Sequence, residues 1–235
     1  MPALEHVSVI SGDVVAVSWE PAPAWFDLVA EIWGAGAALL PIDHRLPDLE
    51  AQALLHRARP TVSIDGGGAR RIDGEPADPE VAVIVPTSGT GGAPKFVEFD
   101  RAAIDAAVAS SALALGASDE DRWLCCLPLA HVGGLLVLLR AILLGAPVTI
   151  HAGFDAGAVA AERDPAFTSL VPTMLGRLVS AGADLSAFRA ILVGGAHLSP
   201  DMRADGVLQQ AFDQAVKQAA AKGIKPKPSL LGDQR

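Results

Sequence analysis

Short apolar runs rich in valine, isoleucine and leucine alternate along most of the chain with longer stretches whose apolar positions recur at helical spacing. The runs Val14–Val17, Ala38–Leu40, Thr61–Ile64, Val81–Val85, Arg122–Leu127, Pro147–His151, Thr168–Val171 and Ala190–Val193 predict strands. Between them, Ala22–Trp33, Pro47–Ala58, Asp100–Leu115, Val132–Leu144, Asp155–Arg163 and Pro172–Ser180 predict helices. Pro47 and Pro172 suit a first helical turn, where a missing N–H costs nothing, and Asp100 and Asp155 suit N-caps. Strands that read apolar on both faces imply a sheet covered on both sides, so the expected fold is α/β, with strands and helices alternating around one or more mostly parallel sheets. The stretch from Asp65 through Gly66-Gly67-Gly68 to Pro79 is rich in glycine, proline and charge and reads as a surface connection or an arm.

Composition narrows the function classes. A chain of 235 residues that is 51% hydrophobic and 19% charged is not an intrinsically disordered one. A net charge of −9 without a cluster of Lys and Arg argues against nucleic acid. Val132 to Ile150 is the longest apolar stretch, but Arg140 and Gly145-Ala146-Pro147 interrupt it, which predicts a core helix and strand and no membrane span. Met1 to Ile10 lacks a basic residue followed by an apolar core, so the expectation is no secretory signal and a cytoplasmic protein. Cys125 and Cys126 are adjacent inside an apolar run, which offers neither a disulfide framework nor a metal half-site, and no metal ligands are assigned. Near Asp205 the usage changes: Lys217, Lys222, Lys225 and Lys227 are four of the five lysines, and Gln209, Gln210, Gln214, Gln218 and Gln234 are five of the six glutamines. The expected organisation is therefore a main unit over 1–204 and an atypical tail over 205–235, where Leu208, Phe212, Val216 and Ala219 predict one amphipathic helix.

The chemistry concentrates in Val81-Ala82-Val83-Ile84-Val85-Pro86-Thr87-Ser88-Gly89-Thr90-Gly91-Gly92-Ala93-Pro94-Lys95. An apolar strand runs into small hydroxyl and glycine residues and ends at the one lysine before position 217. Unobstructed backbone N–H groups, hydroxyls and a single ammonium are what a polyphosphate needs for close approach. The string is neither a Walker A loop, since Pro94 and Phe96 flank the lysine, nor GxGxxG, since Pro94 stands where the last glycine belongs. A single histidine, His131, follows a predicted strand and precedes Gly133-Gly134, a position from which a side chain can enter a cleft at a strand end.

Thr87 to Lys95 resembles the TSGTTGxPKG signature of the adenylate-forming superfamily, which includes acyl-CoA synthetases, luciferases and peptide-synthetase adenylation domains. Gly91 and Phe96 depart from it. Leu127-Pro128-Leu129-Ala130-His131-Val132-Gly133-Gly134 is similar to the family's LPLxHxxG element. Trp33 to Pro47 resembles its WxAGAxxxPxDxRxP region, Val171 to Leu178 its VPTxLxRL helix, and Gly194-Gly195-Ala196-His197-Leu198 its GGAxL turn. The likeness covers about residues 13 to 204. It implies that Thr87, Ser88, Gly89, Thr90, Gly92 and Lys95 cradle the β/γ-phosphates of ATP, that Gly194, Gly195 and Ala196 line the nucleotide pocket, and that His131 lies beside the acid. Lys95 and His131 are the implied catalytic residues, and ATP, Mg²⁺ and CoA the implied cofactor and co-substrates. An arginine nine positions after the histidine, Arg140, looks most like o-succinylbenzoate–CoA ligases of menaquinone biosynthesis, where it is a candidate for holding a second carboxylate. On chemistry alone, a charge on so apolar a helix must either snorkel to water or meet an anion.

The family's YGxTE segment, ribose-binding aspartate, hinge and mobile lysine have no counterpart in this chain, which contains no tyrosine. Lys225 and Lys227 lack the setting of that lysine. Two readings stay open. One is a carboxylate-activating, acid–CoA ligase lineage. The other is a truncated, non-catalytic nucleotide-binding or interaction fragment of such a ligase. A generic Rossmann or Walker nucleotidase comes third. Whether the chain acts as a homo-oligomer or with a missing second half is equally open.

Overall fold

The computed structural model describes Leu4, residues 7–87 and residues 94–195. Ten strands and six helices occur among the described residues: β1 Val14–Val17, α1 Trp25–Gly34, β2 Ala38–Pro41, α2 Asp48–Ala58, β3 Val62–Asp65, β4 Gly68–Arg71, β5 Val81–Thr87, β6 Lys95–Asp100, α3 Arg101–Leu115, β7 Trp123–Cys125, α4 Val132–Leu144, β8 Val148–Ile150, α5 Ala156–Ala161, β9 Phe167–Leu170, α6 Pro172–Ser180 and β10 Ala190–Val193. They form two sheets. The first has the order β4-β3-β1-β2-β5-β6 and the second β10-β9-β7-β8. The second is parallel throughout; in the first, only the edge strands β4 and β6 run antiparallel to their neighbours. The expected mostly parallel α/β arrangement is thus what the chain adopts.

Alternation along the strands builds the layers. In β1, Val15 and Val17 point into the central core with Trp25, Leu28 and Ile32 of α1, while Val14 and Ala16 face the opposite layer, where Leu54, Leu55 and Ala58 of α2 lie. In β7, Trp123 and Cys125 join that central core with α4, whereas Leu124 packs outward with Val159 of α5 and Leu175 and Leu178 of α6. The result is five layers: α2, the first sheet, a middle layer of α1, α3 and α4, the second sheet, and α5 with α6. Each sheet is covered on both faces, which is why its strands read as continuous apolar runs.

Asp100 and Asp155 cap α3 and α5 through their side chains, Asp155 accepting from the Ala158 N–H at 2.7 Å. Pro172 opens α6 as expected, but Pro47 is the N-cap of α2, with extended backbone, one position earlier than predicted. The supposed surface connection after Asp65 contains β4, which pairs with β3 from Val62↔Arg71 to Asp65↔Gly68. Its arginines, though exposed, are both paired. Arg70 pairs with Asp65 at 2.7 Å, and Arg71 with the buried Asp13 at 2.7 Å. Lys95, expected at the end of an irregular loop, begins β6. Cys125 and Cys126 are buried and free, and burial pushes their thiols up to about 12 and about 11. The tail from 205 and its expected helix lie outside the described residues.

Candidate active site

In parallel sheets, ligands gather beyond the carboxyl ends of the strands. Four of the described residues singled out by sequence follow or end strands there. Thr87 is the last residue of β5, His131 follows the end of β7, and Gly194 and Gly195 follow β10. Ser88, Gly89, Thr90, Gly92 and Ala196 lie outside the described residues.

Thr87 and Lys95 are opposite partners at the neck of the β5–β6 hairpin, and the glycine-rich string connects them. The Thr87 hydroxyl donates to the Lys95 carbonyl at 3.2 Å, so its one donatable proton already serves to close the neck. Both side chains are exposed. An exposed ammonium at the mouth of a hairpin whose loop is built from small residues is available to an anion without rearranging the core.

His131 is the N-cap of α4, exposed and without a side-chain capping bond. Gly134 explains how α4 can start so close to the strand end. A Cβ there would lie 2.7 Å from the Leu127 carbonyl oxygen and closer still to that of Pro128, so only glycine lets the first helical turn approach this backbone. The second glycine of the His-Val-Gly-Gly string is therefore a packing requirement that places His131.

Asp43, just beyond β2 and within the Pro-x-Asp-x-Arg stretch, was assigned no role from sequence but is paired with Arg45. Arg45 donates Nε to Oδ1 at 2.9 Å and Nη2 to Oδ2 at 2.7 Å. This fork, reinforced by the Arg45 N–H and to a lesser degree by the charge of His131, outweighs partial burial and holds the Asp43 carboxyl down at about 2. The Asp-x-Arg spacing was the available sequence signal.

Arg140 behaves differently from either expectation. It neither snorkels, being 7% exposed, nor meets an anion among the described residues. Its Nε donates to Ser111 Oγ of α3 at 2.9 Å, and its guanidinium stacks 5.5 Å from the centroid of the Trp123 ring. Burial lowers its pKa from the ordinary value. Nine residues of helix place it about 13 Å along α4 from His131, beside the first residue of β7, so the two are not brought together.

A family model described as AMP-binding enzyme matches residues 67–216. The chain belongs to the AMP-binding enzyme family. That match starts within the β3–β4 hairpin and ends past residue 205, where the composition changes. Among curated members of the family, 2-succinylbenzoate–CoA ligase of Bacillus licheniformis is 40% identical over 121 residues, which is 49% of this chain and 25% of that protein. The solved o-succinylbenzoate CoA synthetase of Bacillus subtilis in complex with an acyl-adenylate intermediate superimposes with a TM-score of 0.70 at 26% identity, covering 82% of this chain and 46% of that one. The same enzyme in complex with ATP and magnesium ion gives a TM-score of 0.72 at 24% identity, covering 94% and 50%. The chain thus spans about half the length of these solved relatives.

Proposed function

We propose that this chain is the ATP- and acid-binding portion of an AMP-forming acid–CoA ligase. The observation that supports the reading best is the glycine-rich hairpin at the carboxyl end of β5, with Lys95 exposed at its neck. In the reaction, a carboxylate oxygen attacks the α-phosphorus of ATP, the bond to the bridging oxygen breaks and pyrophosphate leaves. The thiol of CoA then attacks the acyl carbonyl and AMP departs. Such transfers depend on positioning and charge neutralisation more than on covalent help from the protein. Lys95 would neutralise the β/γ-phosphates, the N–H groups and hydroxyls of Ser88, Gly89, Thr90 and Gly92 would cradle them, and Thr87 would hold the neck. His131 would meet the acid, and Gly194, Gly195 and Ala196 would form the wall against the nucleotide. Positive charge from magnesium, were it bound with ATP, would add to that of Lys95 in offsetting the phosphates. No group of three His, Cys, Asp or Glu side chains suited to a metal exists among the described residues.

For the acid, the reading is an aromatic substrate with two carboxylates, of the o-succinylbenzoate class. Arg140 supports it, because its named partners are a hydroxyl and an indole face and the Trp123 Nε1 beside it has no hydrogen-bond partner. A carboxylate reaching that point would gain a cation and a neutral donor.

Isotopic pyrophosphate exchange into ATP tests the proposal. Acid-dependent exchange by this chain supports the ligase reading. ATP binding without exchange supports the alternative of a nucleotide-binding fragment, and neither would refute both. No helix among the described residues is long and apolar enough to cross a membrane.

A further inference from the structure

Two consecutive carbonyls at the neck of the glycine hairpin each accept a side-chain hydrogen bond, and one donor comes from outside the sheet. The Lys95 carbonyl accepts from Thr87 Oγ at 3.2 Å, and the preceding carbonyl, that of Pro94, accepts from Arg57 Nη2 at 3.3 Å. Arg57 belongs to the last turn of α2. This helix is fixed against the same apolar layer that receives Phe96, the residue after Lys95, since Leu54, Leu55, Ala58 and Phe96 all pack on the cluster of Val14, Ala16, Leu40 and Ile84.

A peptide unit is planar, so the Pro94 carbonyl, the Lys95 nitrogen and the Lys95 Cα share one plane, and the Lys95 carbonyl lies in the next. Arg57 anchors the first plane and Thr87 the second. Together they fix both soft dihedrals of Lys95 and hence the direction of its Cα–Cβ bond. We propose that Arg57 is a positioning residue for Lys95: by holding the Pro94 carbonyl from α2, it aims the ammonium toward the phosphates. This rests on the reading of Lys95 as a phosphate ligand. Arg57 acts through the backbone of Pro94 and does not itself touch nucleotide.

The test is a double-mutant cycle on Mg·ATP binding by the full chain, followed by calorimetry, with Arg57→Met, Lys95→Ala and the combination. Arg57→Met should weaken binding roughly three- to tenfold, the loss of one exposed charge-assisted hydrogen bond, with an unchanged melting temperature. Arg57→Lys, which keeps a donor, should restore most of the affinity. The double variant should bind no more weakly than Lys95→Ala alone, because Arg57 has nothing left to aim. Parental affinity in Arg57→Met would overturn the proposal, as would full additivity, which would mean that Arg57 contacts the phosphates or steers them by charge. Parental affinity in Lys95→Ala would overturn the phosphate reading as well as the proposal built on it.

Discussion

Asp13 is the polar group whose removal should weaken the fold most selectively. It precedes β1 at the amino end of the first sheet and is 4% exposed. Oδ1 accepts from Thr61 Oγ at 2.7 Å and from Arg71 Nη1 at 3.2 Å; Oδ2 accepts from the Ile10 N–H at 2.8 Å and from Arg71 Nη2 at 2.7 Å. Thr61 Oγ in turn accepts from the Val14 N–H at 2.9 Å, so the carboxylate ties the starts of β1 and β3 to the end of β4. Asp13→Asn keeps the shape but replaces one oxygen with an NH2 facing two donors. At about 1.5–3 kcal/mol for a buried charge-assisted bond and about 0.2–1 kcal/mol for the exposed arginine, the loss should be about 2–4 kcal/mol. That corresponds to a fall of roughly 5–15 °C in melting temperature for a chain of this size. Arg71→Ala, which removes only the half-exposed partner, should cost less than about 1 kcal/mol. Burial alone would raise the Asp13 pKa, but the bonds from Arg71, Ile10 and Thr61 overcome it and leave the carboxyl below its ordinary value. A depressed carboxyl stabilises the fold above the unfolded pKa of about 3.9 and ceases to do so as pH falls through the folded value. Urea unfolding should therefore show a wide gap between parent and Asp13→Asn at neutral pH that narrows at strongly acid pH. Equal losses for Asp13→Asn and Arg71→Ala, or a gap independent of pH, would refute this reasoning.

Gly134→Ala should destabilise by about 1–3 kcal/mol in thermal melts, because the new Cβ meets the Leu127 and Pro128 carbonyls, and it should weaken acid binding more than ATP binding by shifting the helix that carries His131. The thiols of Cys125 and Cys126, held protonated by burial, should resist iodoacetamide at pH 8 in the folded protein and become reactive along the unfolding transition. If Arg140 receives a second carboxylate, two-carboxylate aromatic acids should bind better than their mono-acid analogues, and Arg140→Leu should abolish that preference; a preference that survives the substitution assigns Arg140 to the core alone.

Strands and helices of the interior were legible because both faces of each sheet are covered and burial leaves an unbroken apolar record: β1, α4, α6 and β10 fall on the predicted residues. The two edge strands were not. β4 reads Gly-Ala-Arg-Arg and β6 Lys-Phe-Val-Glu-Phe-Asp, with the charges that edge strands carry where one side faces water. Partnerships across the fold were equally hidden. Nothing in the spacing of Arg71 and Asp13, or of Arg140 and Ser111, announces a contact, since each pair is set by how sheets and helices stack. Thr87, Lys95 and His131 could be picked out because glycines and a lone lysine or histidine beside a strand end are local signals. Arg57, whose contact with the Pro94 carbonyl depends on how α2 packs, could not.

In the proposed function, a nucleoside triphosphate sits at the β5–β6 hairpin with Lys95 on its phosphates. Calorimetric titration of Mg·ATP into the chain and into Lys95→Ala tests it most directly. The parent should bind saturably and the variant roughly 10- to 150-fold more weakly, the equivalent of one charge-assisted contact of about 1.5–3 kcal/mol. Equal affinities, or no binding by the parent, would contradict it.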